Sequence, residues 1–327
     1  MFRKYKKKIL FSIAFGALVF LGFSIYADFD KLINTFGEFN WYYFPLIISL
    51  TYLNFTIRFF KWEYYLRILK IELKRKASFL IFMSTFVMSV TPGKMGELLK
   101  SYLLREENGT PVSRSAPIII AERLTDFISV VLLCITGAFV FNYGQAIVIG
   151  VGIFFVICVT LISSRKISLS IITYLEKVSF LSKIAHKFEE AYESIYKLVR
   201  IKPLVIATIL SLVAWFCECL GLFIILKVYS TFTHIEVSLL SAVFIYGFST
   251  IVGSIAMLPG GLGVTEASMT GLLVLLKIPK DVSVASTFII RVATLWFSVA
   301  VGVVSVYFYQ RYSHRELESI GVSQAET

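Results

Sequence analysis

The 327-residue chain is poor in the residues that soluble catalysis needs. Histidine occurs only at His186, His234 and His314, in loops or tails, too scattered for a metal cluster or a catalytic base. The four cysteines, Cys134, Cys158, Cys217 and Cys219, all fall inside apolar segments. Cys217-x-Cys219 has neither the two-residue gap nor the partners of a zinc site, so the cysteines read as small packing residues. No Ser-His-Asp arrangement, Walker loop or dinucleotide-binding glycine pattern is present. We therefore expect no catalytic residue, no metal site and no cofactor.

Acids are also scarce, 21 against 32 Lys and Arg, for a formal charge of +11. Such a balance can signal nucleic acid, but the basic residues cluster between apolar runs, as the positive-inside rule expects of a membrane protein. No nucleic-acid partner is expected. What is abundant is apolar: 57% of residues, with a mean hydropathy of +0.79, against about 45–50% in soluble domains. Runs such as 9–27, 203–226 and 284–309 carry at most one charge over 19 residues or more, and no alternating barrel pattern appears. The expected class is an all-α polytopic membrane protein forming a single integral membrane domain over 1–327.

Helix-breaking residues are few, which makes their grouping informative. Leu258-Pro259-Gly260-Gly261-Leu262-Gly263-Val264-Thr265-Glu266 interrupts an apolar stretch, and Thr91-Pro92-Gly93-Lys94-Met95-Gly96-Glu97 does the same 167 residues earlier. Proline and glycine stop a helix, and backbone freed at membrane depth must be buried in protein or line a cavity. An intramembrane arginine follows each break: Arg123 lies 31 residues after Pro92, and Arg291 lies 32 after Pro259. The paired landmarks define an internal repeat, about 41–142 and about 203–310.

Full spans are predicted at about 9–27, 41–60, 116–140, 146–163, 203–227 and 283–309, with 78–105 and 237–276 as two re-entrant broken helices, or eight spans if these cross. Basic flanks place both termini in the cytoplasm. The first break then enters from inside and the second from outside, so the repeat is inverted. The loop 165–202 is cytoplasmic, and its amphipathic stretch 180–199 is expected on anionic lipid headgroups.

Ionisable groups within spans are costly and tend to line substrate paths. Arg123 and Asp126 share a helix face at i, i+3, beside Glu122. Arg291 has no acid within a helical turn, so its partner must be Glu266, Glu218 or a ligand phosphate. Glu266 and Glu97 follow the breaks, where a carboxylate also suits a helix start. Glu218 is alone on its span. Arg58, near a cytoplasmic edge, reads as a snorkelling residue.

The three ordered motifs, at Thr91–Glu97, Ala121-Glu122-Arg123-Leu124-Thr125-Asp126 and Leu258–Glu266, resemble the flippase-like transmembrane domain of lysylphosphatidylglycerol synthases over nearly the whole chain. The resemblance implies a cell-membrane protein that moves lipids or lipid-linked headgroups between leaflets. It carries over Glu97, Glu122, Arg123, Asp126, Glu266 and, by helix position, Arg291, while Lys100 stands where an arginine is expected. About 17 residues follow the last apolar run, so no aminoacyl-transferase domain is expected. With Glu218 and the break residues Pro259, Gly260, Gly261 and Gly263, these residues form the expected substrate-binding or gating set. Two alternatives stand beside transport. One is group transfer to or from a lipid carrier, which would need an acidic metal cluster at a membrane face. The other is a non-transporting scaffold for a partner lipid-modifying enzyme, docking through 165–202; a homo-oligomer is a further possible partner.

Overall fold

A computed structural model describes residues 2–91, 97–165 and 185–325, with backbone alone at 2–13, 15, 185–187 and 314–325. The helices are α1 (Phe2–Ala27), α2 (Phe29–Glu38), α3 (Phe44–Ile68), α4 (Arg75–Ser84), α5 (Leu99–Asn108), α6 (Val112–Val140) and α7 (Gln145–Ser163). There follow α8 (Ala185–Leu198), α9 (Ile201–Thr233), α10 (Leu239–Ile255), α11 (Val264–Leu275), α12 (Lys280–Arg291) and α13 (Phe297–Ala325). Among the described residues there is no strand. A π turn, Val292–Trp296, joins α12 to α13 in one continuous helix, and a 3-10 turn, Thr85–Met88, extends α4 toward the first break.

The predicted spans 9–27, 116–140, 146–163 and 203–227 each fall within one such helix, 41–60 starts in a 3-10 turn, Trp41–Tyr43, that leads into α3, and 283–309 runs through α12, the π turn and α13. Trp41–Ile68, Gln145–Ser163, Ile201–Thr233 and Lys280–Ser313 are both long and apolar enough to cross a bilayer. The 29-residue α6 reaches about 43 Å at ~1.5 Å per residue but carries Glu122, Arg123 and Asp126 within it. The pieces around the breaks are shorter: 10 residues in α4, 10 in α5, 17 in α10 and 12 in α11. None of these reaches the ~20 residues of a full span.

Local chemistry explains the boundaries. Pro45 occupies the first turn of α3, where a missing N–H costs nothing. Ser238 caps α10 by accepting the Ser241 N–H at 3.1 Å. Asn142 and Gly144 adopt positive φ in the turn between α6 and α7, a conformation that Asn and Gly tolerate.

Packing pairs the two halves reciprocally. α3 lies along α9, the helices that precede the two breaks; α10 packs on α6, while α4 and its 3-10 turn pack on α13. The leading half-helix of each half thus rests on the arginine-bearing helix of the other. The contact at α13 is close enough that a Cβ on Gly302 would lie 2.0 Å from the Val87 backbone nitrogen. One apolar cluster gathers around α9, α10 and α12, and a second around α3, α4, α6 and α8.

The amphipathic segment packs on the bundle. Tyr192, Ile195, Leu198 and Val199 are buried in the second cluster, and α8 packs on α6. Its apolar face is covered by protein. Residues 166–184 of that loop, and the break residues Pro92 to Gly96, lie outside the described residues.

Candidate functional site: a charged cavity between the halves

The second break is held by its own side chains. Gly260, Gly261 and Gly263 have φ of 61°, 67° and 86°, conformations that side chains beyond glycine rarely adopt. Gly263 precedes α11, and its N–H donates to Glu266 Oε2 at 2.6 Å. The other oxygen of Glu266 accepts from Arg291 Nε at 2.5 Å, and Arg291 Nη2 donates to the Gly260 carbonyl at 2.6 Å. Glu266 is fully buried. It therefore caps a helix start and also pairs with Arg291, and two of the polar groups freed by the break are satisfied as burial demands. Of the three partners expected for Arg291, Glu266 is the one in place, so Arg291 acts as a strut across the break. Pro259 opens the 3-10 turn that carries Gly260.

The first half assembles a larger network. Asp126 Oδ1 accepts from Lys61 Nζ at 2.7 Å and from the Ser211 hydroxyl at 3.0 Å. Its Oδ2 lies 3.1 Å from Arg58 Nη2 and 3.1 Å from Arg123 Nη2, the expected i, i+3 pair. Glu97, just past the first break, lies 3.1 Å from Arg123 Nη2. Glu122 is held apart, accepting from Lys100 Nζ at 2.7 Å, with that ammonium over the Trp62 and Phe82 rings. Lys100 thus does as a point charge what an arginine fork is not needed for.

Between these assemblies lies a cavity of about 610 Å³. Arg58, Glu97 and Arg123 line it from the first half, and Glu218, Tyr246, Gly260, Gly261 and Arg291 from the second. Glu122, Asp126 and Glu266 sit behind the wall as partners of other side chains. Tyr246 donates to Glu218 Oε2 at 2.5 Å. The rim carries exposed apolar groups from α7 and the end of α10, among them Phe154 at 59% exposure and Met257 at 71%.

One expectation is corrected. Arg58 does not snorkel: its side chain is 14% exposed, it pairs with Asp126 and it lies 5.9 Å from the Trp215 ring centroid. Lys61, which the sequence did not single out, is 1% exposed and donates to Ser211 as well as Asp126. The signal was the i, i+3 spacing of two cations on one face of α3 with an acid-bearing span to meet them. An Asp-x-Asp also occurs, at Asp28-Phe29-Asp30, but Asp28 is exposed and pairs with Lys31 at 3.7 Å. Among the described residues no three His, Cys, Asp or Glu side chains are grouped to hold a metal. The described cysteines are free, with Cys134, Cys217 and Cys219 buried in packing.

Fold and site together define a polytopic helical membrane protein with a charged internal cavity. The chain belongs to the family of the lysylphosphatidylglycerol synthase TM region, whose pattern matches residues 9–302. It is similar to a UPF0104 membrane protein of Methanothermobacter thermautotrophicus, 22% identical over 343 aligned positions covering 94% of this chain and 95% of the relative. Another from that organism is 31% identical over 96 residues, only 28% of the relative's length. A UPF0104 membrane protein of Methanocaldococcus jannaschii is 24% identical over 238 residues, 69% of this chain and 95% of the relative.

Proposed function

We propose that the protein transports a lipid between leaflets, its cargo a phospholipid or a lipid-linked, polyprenyl-phosphate type molecule, and that it is not an enzyme. One observation carries this reading: a single cavity is walled by Arg58, Glu97 and Arg123 of one half and by Gly260 and Arg291 of the other. Halves packed reciprocally around a shared cavity with charged groups in a largely apolar wall, each interrupted near it, suit a site exposed to either side by rocking one half against the other. We take the two halves as inverted repeats, the breaks as re-entrant, and both termini as cytoplasmic in the cell membrane. The apolar rim suits entry of acyl chains from the bilayer while the headgroup meets the charges within. Anionic lipid at the cytoplasmic face, and a second copy or a partner enzyme, remain compatible with this reading.

The test is reconstitution of the purified protein in liposomes with fluorescent phospholipids and polyprenyl-phosphate lipids, followed by a membrane-impermeant quencher. Faster loss of one lipid class than in protein-free vesicles is expected. Rates equal to protein-free vesicles for every class, with and without a proton gradient, would remove the transport reading.

A further inference from the structure

We propose that the rings of Phe55 and Phe86, backed by Phe82 and Phe297, form the gate of the cavity toward the loop that joins α3 to α4. In this structure that gate is shut, and the cavity opens sideways to the bilayer on the other half of the membrane. The inference deepens the transport reading and rests on it for what passes once the gate parts.

The cavity is closed differently on its two sides. On one side α7 packs on α6 and α8, and the lining runs out between α7 and the end of α10 onto Phe154, Ile255 and Met257. Ile255 is 57% exposed, and the other two are also exposed. Phe154 lies nine residues after Gln145, about 14 Å from the α6–α7 turn at ~1.5 Å per residue, so the opening falls in the half of the bilayer nearer that turn.

On the other side Phe55 of α3 and Phe86 of the 3-10 turn meet at the cavity wall, with ring centroids 4.4 Å apart. Phe297, at the start of α13, stacks on Phe55 at 5.9 Å, and Phe82 of α4 stands edge-on to Phe86 at 5.4 Å. Behind them Phe59, Trp62 and Phe79 continue the aromatic packing toward the loop between α3 and α4. Phe55 is 3% exposed and Phe86 9%. An apolar constriction of this kind keeps out water and ions by dewetting.

The three elements that carry the plug are anchored unequally. α3 lies along α9, and α13 belongs to one continuous helix from Lys280, whereas α4 has 10 residues and ends in the four-residue 3-10 turn before the first break. The short element is the one to move, since 3-10 turns have poorer hydrogen-bond geometry than α-helix. Its contact with α13 is smooth, the Val87 backbone lying over Gly302, and the Ser298 hydroxyl reaches Ser89 Oγ across it at 3.4 Å. Sliding α4 and its turn along α13 draws Phe86 away from Phe55. The ion pairs of Asp126 survive the movement, because α3 and α6 supply them.

The experiment uses the full-length protein with its four cysteines replaced, and it reads access and transfer separately. Thr250→Cys places a reporter on the cavity lining. In sealed vesicles, a small membrane-impermeant thiol reagent supplied on the side where Glu72→Cys reacts should leave the reporter unmodified. Adding Phe55→Ala and Phe86→Ala should open it to modification from that side. Modification through the intact plug would overturn the proposal, even if the alanine variant folds poorly. So would a folded alanine variant that stays unmodified. In the second arm Ser89→Cys and Ser298→Cys, at positions whose hydroxyl oxygens are 3.4 Å apart, are joined by an added oxidant that takes up the two thiol hydrogens. Leaflet transfer by the reconstituted protein should be lost on oxidation and return on reduction, and equal transfer in both forms would overturn the proposal. A shut and openable plug in a protein that moves no lipid would leave the gate and remove transport.

Discussion

At the residue scale the protein depends on charges that cannot be removed singly. Arg291 and Glu266 are 10% and 0% exposed and bridge the second break. Loss of one partner leaves the other buried without compensation, a cost of about 3–5 kcal/mol, while replacing both is far milder. We predict that Arg291→Gln and Glu266→Gln each lower the thermal unfolding temperature in detergent more than the double variant does; equal or additive losses would show the pair to be uncoupled. Asp126 is more exposed to this logic, because three cations converge on it. Asp126→Asn should therefore destabilise more than Arg58→Gln or Arg123→Gln in the same unfolding measurement. The sequence announced Arg123, Asp126, Glu266 and Arg291, since ionisable groups in apolar runs are expensive enough to stand out. It hid Arg58 and Lys61, because cations near the end of a span look the same whether they reach for headgroups or turn inward. Only the arrival of α6 and α9 beside α3 decides which.

At the scale of elements the second break was legible, because proline and glycine act locally and need no tertiary partner to end a helix. The packing of α8 was not, since an amphipathic face says that something covers it but not what. Two glycines separate local from tertiary demands. Gly271 in α11 has open space where a Cβ would stand, whereas the same atom on Gly302 would strike the backbone of Val87. Gly271→Ala should raise stability by about 0.5–1 kcal/mol through lost chain entropy. Gly302→Ala should lower it and loosen α4 from α13; hydrogen exchange across 75–88 would report that, and unchanged protection there would contradict the close approach.

At the scale of the whole molecule the proposed inverted repeat makes a statement about sides. In a background with the four native cysteines replaced, a membrane-impermeant thiol reagent added to intact cells should label Tyr143→Cys and Glu236→Cys but not Glu72→Cys. Labelling of all three, or the opposite pattern, would overturn the orientation read from the basic loops. The account's central claim is that lipid passes through the cavity between the halves. The measurement that tests it most directly is leaflet transfer by the reconstituted protein with Ser254→Trp, which fills the cavity that Ser254 lines, compared with Ile157→Trp on the exposed face of α7. The account predicts that transfer falls to the protein-free rate with the tryptophan at position 254 and stays near wild type with the tryptophan at 157. Equal transfer by both variants, each folded as judged by its unfolding temperature, would contradict it.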